Sequence, residues 1–389
     1  MTHTDARATR TPQSAPTGRR LPLLDVLRGV AILGTLMTNV WIFTRPGAEW
    51  GALEAGADMG AVEGVFSVLA NGKFLSLLTV LFGVGLAIQY ASAERRGQPW
   101  PGRYRWRALF LFGEGTVHFV LVFAWDVLMG YAVTALLVAW LLTRSERAQR
   151  RVMWWAAGIH LTVMGLLTAA LSMADGGGGG GGGGVSREVV DLYAHGSYLD
   201  QVGFRLENAI ALRMEPVLTF FLLVFLFLLG VRLFRAGAFG ADETGRRLRS
   251  RLLAWGLGLG LPLNIVAALA GPDLFLLARY AAAPLLALGY IGLIGAVVDR
   301  VRRPGPLMTG LTSVGRTALS GYVLQNALCV LISYGIGLGL AERLGDTGPW
   351  WVVGLWAVVC AVLMVGSTLW LRRFTAGPLE SVQKWALRH

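Results

Sequence analysis

Residues 351–371 read WVVGLWAVVCAVLMVGSTLWL, an apolar run with no charged side chain that stops at Arg372-Arg373. A helix of that length rises about 30 Å, the thickness of a bilayer's hydrocarbon core. A helix that is apolar on every side is enclosed by protein or by lipid. The same signature recurs along the chain and predicts spans at 22–43, 72–92, 108–124, 127–142, 152–173, 216–234, 252–271, 275–298, 319–340 and 351–371. Only a tight turn at Trp125-Asp126 separates the third and fourth, so they form a helical hairpin. The expected fold is all-α, a polytopic integral membrane bundle of about ten transmembrane helices.

Composition agrees. Of 389 residues, 54% are hydrophobic and only 15% charged, against about 25% charged in soluble domains. Mean hydropathy is +0.56. A net charge of +12 on a soluble protein would raise the question of nucleic acid. Here the basic residues lie between apolar blocks, so no nucleic-acid partner is expected and membrane lipids are.

The arginines alternate from one connection to the next. One set holds Arg19 and Arg20, Arg95 to Arg107, Arg144 to Arg151, Arg232 to Arg251, Arg300 to Arg316, and Arg372, Arg373 and Lys384. The other holds only Arg45, Arg187, Arg205, Arg213 and Arg343. Under the positive-inside rule both termini are cytoplasmic, and the expected location is a cell membrane. Residues 1–20 read as a disordered basic tail, 21–374 as a single transmembrane domain and 375–389 as a cytoplasmic C-terminal tail. Arg19-Arg20 is read as the flank of a retained first helix, since no small-residue cleavage site follows. The longest outer connection, 174–215, opens with the glycine tract 176–184, a flexible tether by composition.

Ionisable residues inside spans are costly and need a partner or a task. Asp25 and Arg28 lie three apart on the first span, with Asn39 three turns on. That face either lines an internal cavity or anchors the interface. Glu114 and His118 are four apart on the third span, and Asp126 follows at the turn. A histidine oriented by a carboxylate can carry protons near neutral pH; the competing reading is a helix-to-helix hydrogen bond. Lys73 either snorkels to the outer interface or binds an anion. His160 reads as structural and Arg279 as interfacial. Arg316, Tyr322, Gln325 and Asn326 make the start of the ninth span polar, the last three on one face that should point inward. Gly83 and Gly85 read as helix-packing glycines. Cys329 and Cys360 read as buried small residues, and no metal site is expected.

Several of these stretches resemble the YeiB-like bacterial membrane proteins, which carry domain of unknown function 418. The resemblance rests on Leu24-Asp25-Val26-Leu27-Arg28-Gly29 through Asn39, on Phe74 to Gly85, and on Gly113 and His118 with Trp125-Asp126-Val127-Leu128 and Tyr131-Ala132. Gly315-Arg316 to Gln325 and the ending Gly377-Pro378-Leu379-Glu380 complete it. The family is distantly similar to transmembrane acyltransferases. That likeness implies transfer of an acyl group from a cytoplasmic donor to a cell-envelope glycan, lipid or exported small molecule. Those acyltransferases carry a histidine just after the first helix; Arg45 to Glu63 holds none, so His118 would take the role of general base or transient acyl carrier, oriented by Asp126 or Glu114. Asp25, Arg28, Asn39, Lys73, Arg316, Tyr322 and Gln325 are the expected substrate-binding residues. No tightly bound cofactor is expected, and acyl-CoA is the expected donor substrate. The alternatives are a proton-coupled transporter relaying through His118, Glu114 and Asp25, and a non-catalytic structural membrane protein.

Overall fold

The computed structural model describes residues 21–51, 59–175 and 185–387, and their regular structure is entirely helical. The expected tail 1–20 and the glycine tract 176–184 lie outside the described residues. In chain order the helices are α1 (Pro22–Phe43), α2 (Ala61–Ala70), α3 (Lys73–Arg95), α4 (Tyr104–Leu121), α5 (Leu128–Leu141), α6 (Glu146–Asp175), α7 (Arg187–Ala194), α8 (Tyr198–Glu207) and α9 (Phe220–Arg235). They continue with α10 (Glu243–Trp255), α11 (Leu261–Leu269), α12 (Ala283–Arg300), α13 (Pro306–Arg316), α14 (Ala318–Ser333), α15 (Leu340–Leu344), α16 (Trp350–Arg373) and α17 (Pro378–Ala386). Every predicted span overlaps at least one helix, though 108–124 and 319–340 run past their helix ends at Leu121 and Ser333. Six segments are long and apolar enough to cross a membrane: Pro22–Phe43, Ala61–Arg95, Glu146–Met173, Glu243–Leu269, Pro272–Arg300 and Trp350–Arg373. Leu128–Leu141 and Ala318–Ser333 are shorter apolar helices. The outward faces suit lipid: α6 exposes Trp154, Trp155, Leu161 and Leu166, and α16 exposes Val358, Val362, Val365 and Leu369. The chain is a multi-span helical membrane bundle.

Apolar surface gains little by leaving lipid for protein, so such helices associate where small residues let backbones touch. A Cβ on Gly29 of α1 would lie 2.0 Å from the Leu311 carbonyl oxygen of α13, and one on Gly315 would lie 1.7 Å from that of Asp25. Gly83 of α3 and Gly230 of α9 meet the same way, each 2.1 Å from a carbonyl oxygen of the other helix. Gly85 departs from expectation. A Cβ there would meet nothing within 4 Å, because the residue borders a cavity.

Three interruptions shape the interior. Gly72, at φ +77°, turns α2 into α3 with its Cα against the Arg279 carbonyl. A break at Thr317 separates α13 from α14, and the predicted ninth span, 319–340, is helical only as far as Ser333. Between α4 and α5 the predicted tight turn is the longer, non-helical stretch 122–127, and α4 ends at Leu121 rather than at 124. With 14 residues α5 rises only about 21 Å, so this turn is sunk within the bundle. Short connections make successive helices antiparallel. The starts of α1, α4, α6 and α13 therefore share one end with the finish of α3, α5, α12 and α16. That end carries Arg95, Arg96, Arg103, Arg144, Arg302 and Arg303 and is called the arginine-rich end below.

Gly315→Val should therefore cost at least about 3 kcal/mol, the upper range for overpacking, read as a lowered thermal midpoint in detergent. Gly85→Ala should be neutral or slightly stabilising, since alanine favours helix and the space is open.

Candidate functional site

Two cavities enter the bundle from opposite ends. The one at the arginine-rich end has a volume of about 250 Å³ and is lined by Arg28, Arg107, Arg316, Tyr104, Gln89 and Glu380 among others. The opposite one, about 110 Å³, is lined by Asn39, Trp41, Arg45, Trp125, Glu215 and Arg279 among others. Both end on Leu78 and Tyr322, which form a septum between them. One face of α1 serves both: Arg28 and Ile32 border the first cavity, Thr35 and Asn39 the second. Their spacing of four, three and four residues is one helical stripe.

Directly behind the septum sits His118, whose ring centroid is 5.2 Å from that of Tyr322. Its Nδ1 lies 3.3 Å from Asp126 Oδ1, and both side chains are buried. The amide of Asn326 donates to His118 Nε2 at 3.1 Å. That leaves the ring proton on Nδ1, facing the carboxylate. Asp126 is held in turn: its Oδ2 accepts from the backbone N–H groups of Leu128, at 2.9 Å, and Met129, at 3.4 Å, capping the start of α5. Local geometry thus explains why Asp126 follows His118 by eight residues. The helix ends, the sunken turn reverses the chain, and the carboxylate that caps the next helix also faces the imidazole. His118 itself lines neither cavity.

The remaining residues singled out in the sequence divide between the two cavities. Asp25 pairs with Arg28 at 3.4 Å. Arg316 borders the larger cavity with its Nε enclosed and without an acceptor among the described residues. Glu114 continues the stripe Arg107–Leu111–Glu114–His118 on α4. Its carboxyl oxygens are enclosed and make no hydrogen bond among the described residues, and Asp126 is the carboxylate found within 4.0 Å of His118. Gln325 is fully buried and donates to Thr35 Oγ1 at 3.4 Å.

Two expectations are corrected. Lys73 does not snorkel outward; it is 2% exposed and its Nζ donates to the Ser67 carbonyl at 3.1 Å, because the α2–α3 turn folds over it. Arg279 is not interfacial. It pairs with Glu215 at 2.9 Å, with Asn71 and the Tyr280 hydroxyl as further partners. His160 hydrogen-bonds the Tyr280 carbonyl at 3.0 Å, and both cysteines are free and buried. Among the described residues no cluster of three or more His, Cys, Asp or Glu is placed to hold a metal.

The sequence reading overlooked the group that holds the sunken turn. Glu49, in the short helix Ala48–Gly51, is fully buried. It accepts from Ala124 N at 3.0 Å and the Tyr334 hydroxyl at 2.6 Å, with Arg205 Nε 3.6 Å away. Arg205 donates to the Val120 carbonyl, Tyr198 to that of Leu121 and Arg213 to that of Asp126. A signal existed: Arg205 and Arg213 stood among the few exceptions to the arginine asymmetry. Nearby, His195 joins Asp191, at 2.8 Å, to Glu342 on α15, at 3.0 Å. The Asp191 hydrogen bond, together with Glu342, raises its pKa above the ordinary value.

Residues 233–388 match a family described as "Protein of unknown function (DUF418)". Two relatives align over 388 residues at 27% identity. "Uncharacterized protein YxaH" of Bacillus subtilis covers 95% of this chain and 94% of its own length. "Uncharacterized protein YeiB" of Escherichia coli covers 92% and 93%.

Arg205→Met should destabilise by about 3–5 kcal/mol, because it leaves the Glu49 charge buried without its counter-ion. Adding Glu49→Gln should recover part of that loss in a double-mutant cycle of thermal midpoints. His195 acts in the opposite pH direction to a carboxylate. Its folded pKa is raised, so its stabilisation is complete below an unfolded value of about 6.5 and fades as pH rises through the folded one. The midpoint difference between wild type and His195→Gln should accordingly shrink as pH rises.

Proposed function

For this chain, a member of the DUF418 family, whose description names no activity, we propose membrane-embedded acyl transfer: an acyl donor enters the cavity at the arginine-rich end and an acceptor hydroxyl or amine enters the other. The arginine asymmetry supports a topology with the arginine-rich end in the cytoplasm of a bacterial plasma membrane, with ten spans and both termini inside. The observation that carries the reading is the shared septum: both cavities stop at Leu78 and Tyr322, and the His118–Asp126 pair lies immediately behind. When the Tyr322 ring turns aside, His118 Nε2 exchanges the Asn326 amide for the acceptor's proton. The acceptor oxygen or nitrogen bonds to the thioester carbonyl carbon, the carbon–sulfur bond breaks, and the thiolate leaves with the proton from His118. Asp126 balances the transient imidazolium. Asn39, on the acceptor side, is placed to hydrogen-bond the incoming group, and Arg28 and Arg316 to hold the donor. Lys73 and Gln325, each already bonded within the protein, support the walls rather than touch substrate.

A second reading, proton-coupled transport, draws on one observation: His118 is shut off from both cavities in this conformation. Turnover separates them. Purified protein in lipid nanodiscs, given acyl-CoA and an envelope extract as acceptor, should release thiol. His118→Gln, which fills most of the same space, should cut the rate by about 10²-fold or more in protein whose monodispersity and cooperative thermal transition show that it is folded. Tyr322→Ala, which joins the cavities, should raise hydrolysis of the thioester relative to transfer. Absence of thiol release at every acyl chain length, together with substrate flux in vesicles, would move the assignment to transport.

A further inference from the structure

Among the described residues, the cavity at the arginine-rich end is lined by more positive than negative side chains. Three guanidiniums border it, those of Arg28, Arg107 and Arg316, against one carboxylate, Glu380. That carboxylate is already committed: Oε1 accepts from the backbone N–H groups of Leu319, at 2.8 Å, and Ser320, at 3.4 Å, and Oε2 from the Ser320 hydroxyl at 2.6 Å. Arg28 shares Asp25. Among the described residues neither Arg107 nor Arg316 has a carboxylate within 4.0 Å. Within the same set of described residues Arg107 donates to the neutral Gln89, at 3.4 Å, and the enclosed Arg316 Nε has no acceptor. Arginines that merely set topology sit in the connections; these lie on three different helices and converge on one space. Past them the wall turns apolar, with Ile32, Leu81, Phe82, Leu111 and Leu128 leading to Tyr322. The open side of Gly85 leaves room along that wall.

We infer that this cavity binds a phosphate-bearing amphiphile, its anionic head on Arg107 and Arg316 and its apolar tail directed at Tyr322. A guanidinium fork matches phosphate oxygens two at a time, and a multiply charged head answers several arginines at once. Glu380, the fixed acid of the cavity, weakens that binding by repulsion. The inference rests on the acyl-transfer reading only for what the tail carries; head-group binding is measured without chemistry. The ligand is either a water-soluble phosphate ester or a membrane phospholipid.

The test titrates the full-length protein in phosphatidylcholine nanodiscs with inorganic pyrophosphate and with ADP, by calorimetry. A parallel arm adds phosphatidic acid to the nanodiscs. Arg107→Gln and Arg316→Gln should each weaken pyrophosphate binding at least tenfold, Glu380→Gln should tighten it severalfold, and Arg302→Gln, in a connection, should leave it unchanged. Monodispersity and thermal midpoint check that each variant is folded, and the gain in Glu380→Gln is a readout that misfolding does not mimic. ADP binding that persists with phosphatidic acid present supports a soluble ester, and loss of pyrophosphate binding to phosphatidic acid supports a lipid. Absence of binding by pyrophosphate, ADP and phosphatidic acid alike, or binding unchanged in the Arg107→Gln/Arg316→Gln double variant, overturns the inference. Anion binding without acyl turnover leaves it standing and removes the transfer reading. Turnover indifferent to both arginines does the reverse.

Discussion

The structure depends on the hydrogen-bonding demand of one non-helical turn, 122–127, sunk inside the helix bundle. Lipid offers no hydrogen bonds, so irregular backbone at that depth survives only where protein groups replace water. The ends of α4 and α5 expose carbonyls and amides that the helices cannot satisfy themselves. Asp126 answers the amides of Leu128 and Met129, Glu49 that of Ala124, and Arg205, Tyr198 and Arg213 the carbonyls. Once these groups are in place, the imidazole of His118 and the carboxylate of Asp126 have nowhere to be except against each other. The segment carrying Arg205 and Arg213 is therefore part of the bundle's interior chemistry rather than an ornament on one face.

The second constraint is close approach. The glycine contacts between α1 and α13 and between α3 and α9 are backbone against backbone, which leaves almost no freedom for those pairs to slide. Elsewhere the helices are interrupted. α14 starts afresh at Thr317, held by Glu380 from the C-terminal helix α17, and π-helical turns at Gly256–Gly260 and Ala278–Ala282 interrupt the segments leading into α11 and α12. The fold thus joins rigid crossings to a few points where a helix is already broken, and Tyr322 lies on the helix that begins at one of them.

Much of this was legible in the residues. Apolar block length located the helices, because a bilayer imposes one length on all of them, and the pairing of Asp25 with Arg28 followed from helical spacing alone. His118 and Asp126 were readable as candidates for the same reason that intramembrane charges usually are: they are costly. What stayed hidden was long-range. No local pattern says that Glu49 meets Tyr334, 285 positions away, or that the turn beside Asp126 lies deep enough to need arginines from a distant loop. Lys73 and Arg279 were misplaced because flanking position suggests an interface, whereas the α2–α3 turn encloses one and Glu215 draws in the other. The convergence of Arg107 with Arg316 belongs to the same class, since it depends on where α13 breaks.

The septum has an electrical consequence. Water entering each cavity would carry the potential of its own bulk phase inward, so a membrane voltage would fall mainly across the few ångströms around Leu78 and Tyr322 rather than across the whole bilayer. A unit charge crossing a full membrane gains or loses about 2.3 kcal/mol per 100 mV. Here most of that work would be concentrated on any proton or charged group passing between Tyr322 and His118.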